Sequence, residues 1–147
     1  MPNIKKYMYL SETSDRVRYA ETDKMGFLYH GNYAQYYEVG RVEMIRSIGL
    51  SYRDLEEKVG VGMPVMMMDT RFVRPAYYDD LLTIKTTVKK MPVDFLRFYV
   101  EIFNQDGKLI SGGKLKLCFI DMESKKRVKC PKELLDRMKP YFEENET

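Results

Sequence analysis

The stretch NYAQYYEVGRVEMIRSIGL, residues 32–50, decides the architecture. Tyr33, Tyr37, Gly40, Met44 and Ile48 recur at steps of four, three, four and four, which draws one stripe along an α-helix. Gln35, Glu38, Glu43 and Arg46 fall off that stripe. The segment therefore reads as a helix of about four turns with one buried face. Asn32 is placed as its N-cap, and Gly49 as the glycine just past its end. Gly40 inside it costs about 1 kcal/mol relative to alanine, so the pattern predicts that another element packs closely there.

Working outward, SYRDLEEKVG after Gly49 reads as a short second helix capped by Ser51. Beyond Gly62 the period changes to two. PVMMMDTRFV is a strand, with MPVMMM (residues 63–68) read as core, and RPAYYDD is a connection. LLTIKTTVKK alternates Leu82, Ile84, Thr86 and Val88 against Thr83, Lys85, Thr87 and Lys89, and FLRFYVEIF alternates in the same way. NQDGK carries the Asp-Gly hairpin signal, and LISGGKLKLCFID sets Leu115, Leu117 and Phe119 opposite Lys114, Lys116 and Cys118. A first strand is expected near Ser14–Tyr19 and a terminal helix from Pro131, with Leu134, Leu135 and Met138 spaced to dock. Consecutive strands on short turns make an antiparallel sheet, and the long helix must bury its stripe against it. The expectation is an α+β fold, a sheet wrapped around a central helix, as one domain over residues 1–147. Open sheet edges invite a second copy, so a homodimer or homotetramer is expected.

Composition narrows the chemistry. The chain of 147 residues is 44% hydrophobic and 13% aromatic, as globular chains are. Its 25 basic and 22 acidic residues leave a net charge of +3, which suits a small anion better than it demands nucleic acid. There is neither a nucleic-acid motif nor a concentrated basic stripe. No apolar run is long enough to insert in a membrane and no targeting segment is visible, so a cytoplasmic protein is expected. Cys118 and Cys130 read as free thiols in a reducing compartment. With a single histidine and dispersed carboxylates there is no cluster for a metal, and none is expected.

The loop before the long helix, ETDKMGFLYHGNY, holds that one histidine, His30, seven residues after Asp23. An aspartate there is either a turn or cap residue, or a carboxylate aimed into an apolar crevice as nucleophile or general base. The helix start would supply free N–H groups for an oxyanion. His30 is either structural, bonded to backbone, or part of the same chemistry.

The run VRYAETDKMGFLYHGNYAQYYEVGRVEMIR, residues 17–46, resembles the signature of the hot-dog-fold acyl-CoA thioesterases of the 4-hydroxybenzoyl-CoA thioesterase-like family. It is most similar to the small bacterial enzymes encoded beside the Tol–Pal envelope system. The matching positions are Tyr19, Glu21-Thr22-Asp23, Gly26, Tyr29-His30, Asn32-Tyr33, Tyr36-Tyr37-Glu38 and Arg41, and DTRFVRPAYYDDLLTI resembles the family's next strands and turn. The resemblance implies hydrolysis of an acyl-CoA thioester to a carboxylic acid and coenzyme A, with no cofactor beyond the coenzyme carried by the substrate. It makes Asp23 the catalytic carboxylate, as nucleophile or as base toward water. It makes the His30 N–H a candidate oxyanion donor, with the imidazole orienting Asp23, water or the leaving thiolate. It puts Tyr19 near the carboxylate. Arg41 and Glu38 read as structural or dimer-contact residues.

Coenzyme A brings phosphates. Lys89, Lys90 and Arg97, with Lys114 and Lys116, are the expected partners, and Ser111-Gly112-Gly113 would let the pantetheine arm lie against backbone. The Met63–Met68 run could instead line an acyl pocket. A hydratase places its histidine and acid differently. A non-catalytic acyl-CoA-binding or envelope-scaffold protein is the alternative.

Overall fold

The computed structural model describes residues 9–143. Among them the long helix, α1 (Tyr33–Ser47), lies against an antiparallel sheet of seven strands: β1 (Tyr9–Arg16), β2 (Val61–Gly62), β3 (Val65–Phe72), β4 (Leu81–Val88), β5 (Phe95–Phe103), β6 (Leu109–Asp121) and β7 (Arg127–Val128). The spatial order is β1-β4-β5-β6, with β2, β3 and β7 all pairing along β6. Between α1 and β2 runs α2 (Tyr52–Asp54), which continues as a π-turn over Leu55–Val59, and α3 (Lys132–Glu143) closes the described chain. No helix among the described residues is long and apolar enough to cross a membrane.

The sheet has two unlike faces because its strands alternate. Leu82, Ile84, Thr86 and Val88 of β4, Leu96, Phe98, Val100 and Ile102 of β5, and Leu115, Leu117 and Phe119 of β6 are buried beneath α1. The expected stripe of α1 is buried too, joined by Tyr36 and Ile45, which widen it. Gly40 sits where α1 meets β4: a Cβ there would stand 2.5 Å from Thr86 Oγ1 and 2.7 Å from Ile84 Cγ2. One turn earlier, Tyr37 meets Gly113, whose Cβ would lie 2.7 Å from the tyrosine ring. Glycine at both points lets helix and sheet approach this closely. The Tyr37 hydroxyl donates to Ser111 Oγ at 2.5 Å, and Ser111 donates on to the Arg71 carbonyl at 2.7 Å, tying α1, β6 and β3 together.

Several expectations change. The first strand is Tyr9–Arg16, not Ser14–Tyr19. It pairs with β4 from Tyr9↔Val88 to Arg16↔Leu81, and the chain then turns through a 3₁₀ turn at Tyr19–Glu21. Its polar text, YLSETSDR, carries no apolar alternation to announce it. Asn32 does stand at the N-cap position of α1, but its side chain makes no cap bond; its Nδ2 donates instead to the Glu21 carbonyl at 2.9 Å. Ser51 does cap α2, accepting from the Asp54 N–H at 2.9 Å. The methionine run is not core: Met63 is buried, but Val65, Met66, Met67 and Met68 are 44–56% exposed, because among the described residues β3 pairs only with β6 and nothing covers it. Cys118 and Cys130 are free and buried.

Gly40→Ala gains helix propensity but must overpack the α1–β4 contact. Overpacking costs about 1–3 kcal/mol, so the variant should unfold at lower urea than wild type. An unchanged midpoint would mean that α1 does not approach β4 this closely.

Candidate active site

Asp23 is held by its own turn. Its Oδ1 accepts from the Met25 N–H at 2.9 Å, its carbonyl accepts from Gly26 N–H at 3.0 Å, and its N–H donates to the Phe27 carbonyl at 3.0 Å. Gly26 takes φ 89°, a left-handed conformation that glycine adopts without strain. One carboxylate oxygen is thus engaged by backbone, and Oδ2 has no hydrogen-bond partner among the described residues.

The turn is anchored to the helix through Glu21. Its carboxylate accepts from Tyr36 Oη at 2.6 Å, from the Arg18 N–H at 2.8 Å and from Arg18 Nη1 at 3.2 Å. Its carbonyl accepts from Tyr29 N–H and from Asn32 Nδ2, both at 2.9 Å. Burial first, and then the bond to Glu21, push the Tyr36 phenol far above its ordinary range, so it stays a neutral donor. The residues on both sides of Asp23 are thereby pinned to the first two turns of α1.

Asp23 and His30 line one cleft of about 290 Å³, with Met25, Phe27, Tyr33, Phe72 and Arg74 among the walls. The His30 ring lies 4.4 Å from the Tyr29 ring and 6.3 Å from Phe72. His30 opens the 3₁₀ turn His30–Asn32 that leads into α1, and its N–H has no backbone acceptor among the described residues. Tyr33 stacks edge-on against Phe72 at 4.9 Å and is almost fully buried. Desolvation, then the neighbouring Tyr37 and Asp23, push its phenol up to about 12. Arg74 brings a cation to the same cleft, with Nη1 donating to the Leu109 carbonyl at 2.9 Å.

Not every expected residue joins this cleft. Tyr19 is 78% exposed, stacked edge-on against Tyr78 at 5.8 Å, and does not line it. Arg41 bonds Tyr52 rather than Glu38. Lys89, Lys90 and Arg97 do come together, in a separate cleft of about 480 Å³ beyond the other end of β4. Ser111 is not on the surface, since its hydroxyl is spent between Tyr37 and Arg71. Gly112 is open: nothing lies within 4 Å of where its Cβ would be. Sequence reading missed Arg74 and Phe72 as lining residues, because both belong to an exposed strand end and a turn that meet Asp23 only in space.

A thioesterase-like superfamily model matches residues 17–138. The chain belongs to that superfamily. It is 31% identical to the Escherichia coli acyl-CoA thioester hydrolase YbgC over 124 residues, 84% of this chain and 92% of that one. It is 34% identical to Bacillus subtilis YneP over 130 residues, covering 88% of this chain and 93% of that protein. Among solved structures, a DHNA-CoA thioesterase from Staphylococcus aureus superposes with a TM-score of 0.78 at 37% identity, over 92% of this chain and 87% of the other. The fold is the hot-dog fold of those thioesterases, an antiparallel sheet with a helix packed against it.

Burial favours the neutral form, which for an acid such as a phenol or thiol raises the folded pKa, so that stability is fully present below the unfolded value and lost as pH rises through the folded one. Tyr33 moves from 10.0 to about 12 and Cys130, through burial, from 9.0 to about 12. The urea midpoint should therefore fall progressively between pH 9 and 12. In a Tyr33→Phe, Cys130→Ala double variant that fall should be shallower; equal slopes would contradict the assignment.

Proposed function

We propose that this protein is an acyl-CoA thioester hydrolase in which Asp23 is the catalytic carboxylate. The observation that carries the reading is the shared cleft, which Asp23, with one oxygen held by backbone, lines together with His30, whose N–H has no acceptor among the described residues. Asp23 either attacks the thioester carbonyl to form an anhydride or takes a proton from the attacking water. In both cases negative charge collects on the carbonyl oxygen, and the His30 N–H at the entrance to α1 is the donor assigned to it in this reading. The C–S bond then breaks and releases coenzyme A as thiolate; on the anhydride route water then hydrolyses the anhydride to free acid and Asp23, and on the base route, where water has already added, the acid is released directly. Apolar walls from Phe27, Tyr33 and Phe72 suit an acyl group. Tyr19, outside the lining, is given no step. We place the chain in the Tol–Pal-associated subgroup because Tyr19, Asp23 and His30 occur together at that subgroup's positions, and in the cytoplasm because both thiols are unbridged.

The reading requires a second copy. Phe72 and Val73 line the Asp23 cleft yet remain about half exposed, on a strand whose outer edge is unpaired among the described residues. Antiparallel pairing of two β3 strands about Thr70 would set Asp69 of one copy against Arg71 of the other, twice. Arg74 of one copy would then stand opposite Met66 of the other. That is three strand spacings, about 14 Å, from the second copy's Arg97. Within one copy the eight residues of β4 separate the two clefts, about 26 Å. On this arrangement the coenzyme's phosphates lie at Lys89, Lys90 and Arg97 of the other copy.

Release of free thiol from short, long and aromatic acyl-CoAs tests the chemistry. Wild type should hydrolyse at least one class, and Asp23→Ala should lower kcat by about 10²–10⁴. Binding without any thiol release would favour a non-catalytic acyl-CoA-binding protein. Full activity in Asp23→Ala would remove the mechanism.

Light scattering tests the pairing. Asp69→Arg alone should shift the protein toward monomer and lower activity, and adding Arg71→Asp should restore both. A single variant that assembles as wild type does would place the interface elsewhere.

A further inference from the structure

The three buried tyrosines of α1 differ in what their hydroxyls do. Tyr36 and Tyr37 spend theirs inside the chain, on Glu21 and Ser111. Tyr33 is 4% exposed, with its ring edge-on to Phe72, yet its hydroxyl has no hydrogen-bond partner among the described residues. Nor is that oxygen sealed in: the buried side-chain polar atoms left without a partner there are Arg41 Nε and Thr86 Oγ1. Tyr33 lines the Asp23 cleft, and a hydroxyl this deep that is neither bonded nor sealed opens into it. Once an acyl group displaces water from the cleft, the hydroxyl needs an acceptor supplied by the substrate.

Its place along the cleft selects that acceptor. The Tyr33 N–H donates to the His30 carbonyl, so backbone ties the two residues together. The Phe72 ring stands edge-on to both side chains, 4.9 Å from Tyr33 and 6.3 Å from His30. Desolvation, then Tyr37 and Asp23, push the Tyr33 phenol up to about 12. Asp23, rather than the Arg74 cation of the same cleft, is thus the charged residue that acts on it. A phenol kept protonated donates a hydrogen bond and does not serve as a base. The substrate acceptor at the Asp23 end is the carbonyl oxygen of the thioester. In the tetrahedral state that oxygen carries a full negative charge and accepts more than one hydrogen bond, of which the His30 N–H is assigned one.

We propose that Tyr33 is a further catalytic residue, whose hydroxyl donates to the thioester carbonyl oxygen as that oxygen becomes charged, as a second donor beside the His30 N–H. The phenol keeps its proton, so no proton of the hydrolysis passes through it. Because the bond strengthens with charge on the oxygen, it acts on kcat rather than on KM. This role rests on Asp23 being the catalytic carboxylate.

Tyr33→Phe removes the oxygen and keeps the ring against Phe72. With the acyl-CoA class that wild type hydrolyses, its kcat should fall about 10²–10³-fold while KM stays within about twofold. Calorimetry with two stable analogues then separates a charged-oxygen role from pocket shape. A trifluoromethyl ketone analogue of the acyl-CoA, whose carbonyl adds water or Asp23, should bind Tyr33→Phe at least tenfold more weakly than wild type. The S-alkyl-CoA thioether, which has no carbonyl, should bind both equally. Equal weakening of the two analogues, or of neither, overturns the proposal. Circular dichroism melting checks that the variant folds. If it does not, 3,5-difluorotyrosine at position 33 keeps the hydroxyl and makes the phenol more acidic. Its kcat should then fall as pH rises through the lowered pKa, a limb that wild type lacks at the same pH; no such limb overturns the proposal. Asp23→Ala is assayed in parallel. Wild-type kcat in Tyr33→Phe beside an inactive Asp23→Ala overturns the role of Tyr33 alone, whereas wild type that releases no thiol overturns both.

Discussion

Where α1 crosses β4 there is no room for a single methyl group on Gly40, and where Tyr37 crosses β6 there is none on Gly113. This close seating of helix on sheet is the constraint from which the rest follows. With the helix this low, the Tyr37 hydroxyl reaches Ser111 and, through it, the Arg71 carbonyl, so that β3 is fastened to the core from inside. A turn earlier, Tyr36 reaches Glu21 and fastens the loop that carries Asp23. The helix that closes the core also sets the depth at which the Asp23 carboxylate and the His30 N–H stand. A buried hydroxyl without its partner costs about 1–3 kcal/mol, so these tyrosines add a directional constraint to what the apolar stripe supplies.

The two faces of the sheet divide the labour by the same alternation. Towards α1 the strands present Leu, Ile, Val and Phe, whose burial is the main favourable term. Away from it they present lysine, arginine and aromatic side chains, which no element among the described residues covers. The charge distribution on that outer face is not uniform. Opposite charges meet between β1 and β4, while at Phe95 only cations gather. The strand edge at β3 and the basic patch beyond it are the surfaces left unfinished by the fold of one chain.

Much of this was legible in the residues. The α1 stripe, the Gly40 contact, the alternation in β4, β5 and β6 and the hairpin at Asp106-Gly107 are local periodicities that survive packing, because burial reinforces them. Where the reading failed, packing overruled local signal. YLSETSDR has no apolar alternation, yet it forms β1 because β4 offers it a ladder along its whole length. The Val65–Met68 run is apolar and still exposed, because burial there depends on an edge no single copy closes. Asn32 has the composition of a cap, but Glu21 claims its side chain.

The sequence by itself determined the α+β class, the central helix, the superfamily and the loop that carries both Asp23 and His30, since each is carried by residues near one another in the chain. Only the tertiary structure decided which groups share a site. Arg74 and Phe72 joined the Asp23 cleft and Tyr19 did not, Ser111 turned inward, and Arg97, Lys116 and Arg127 met over Phe95 from three strands. Strand register sets those meetings, and it is chosen by the burial of the opposite face, which no local pattern on the exposed face records.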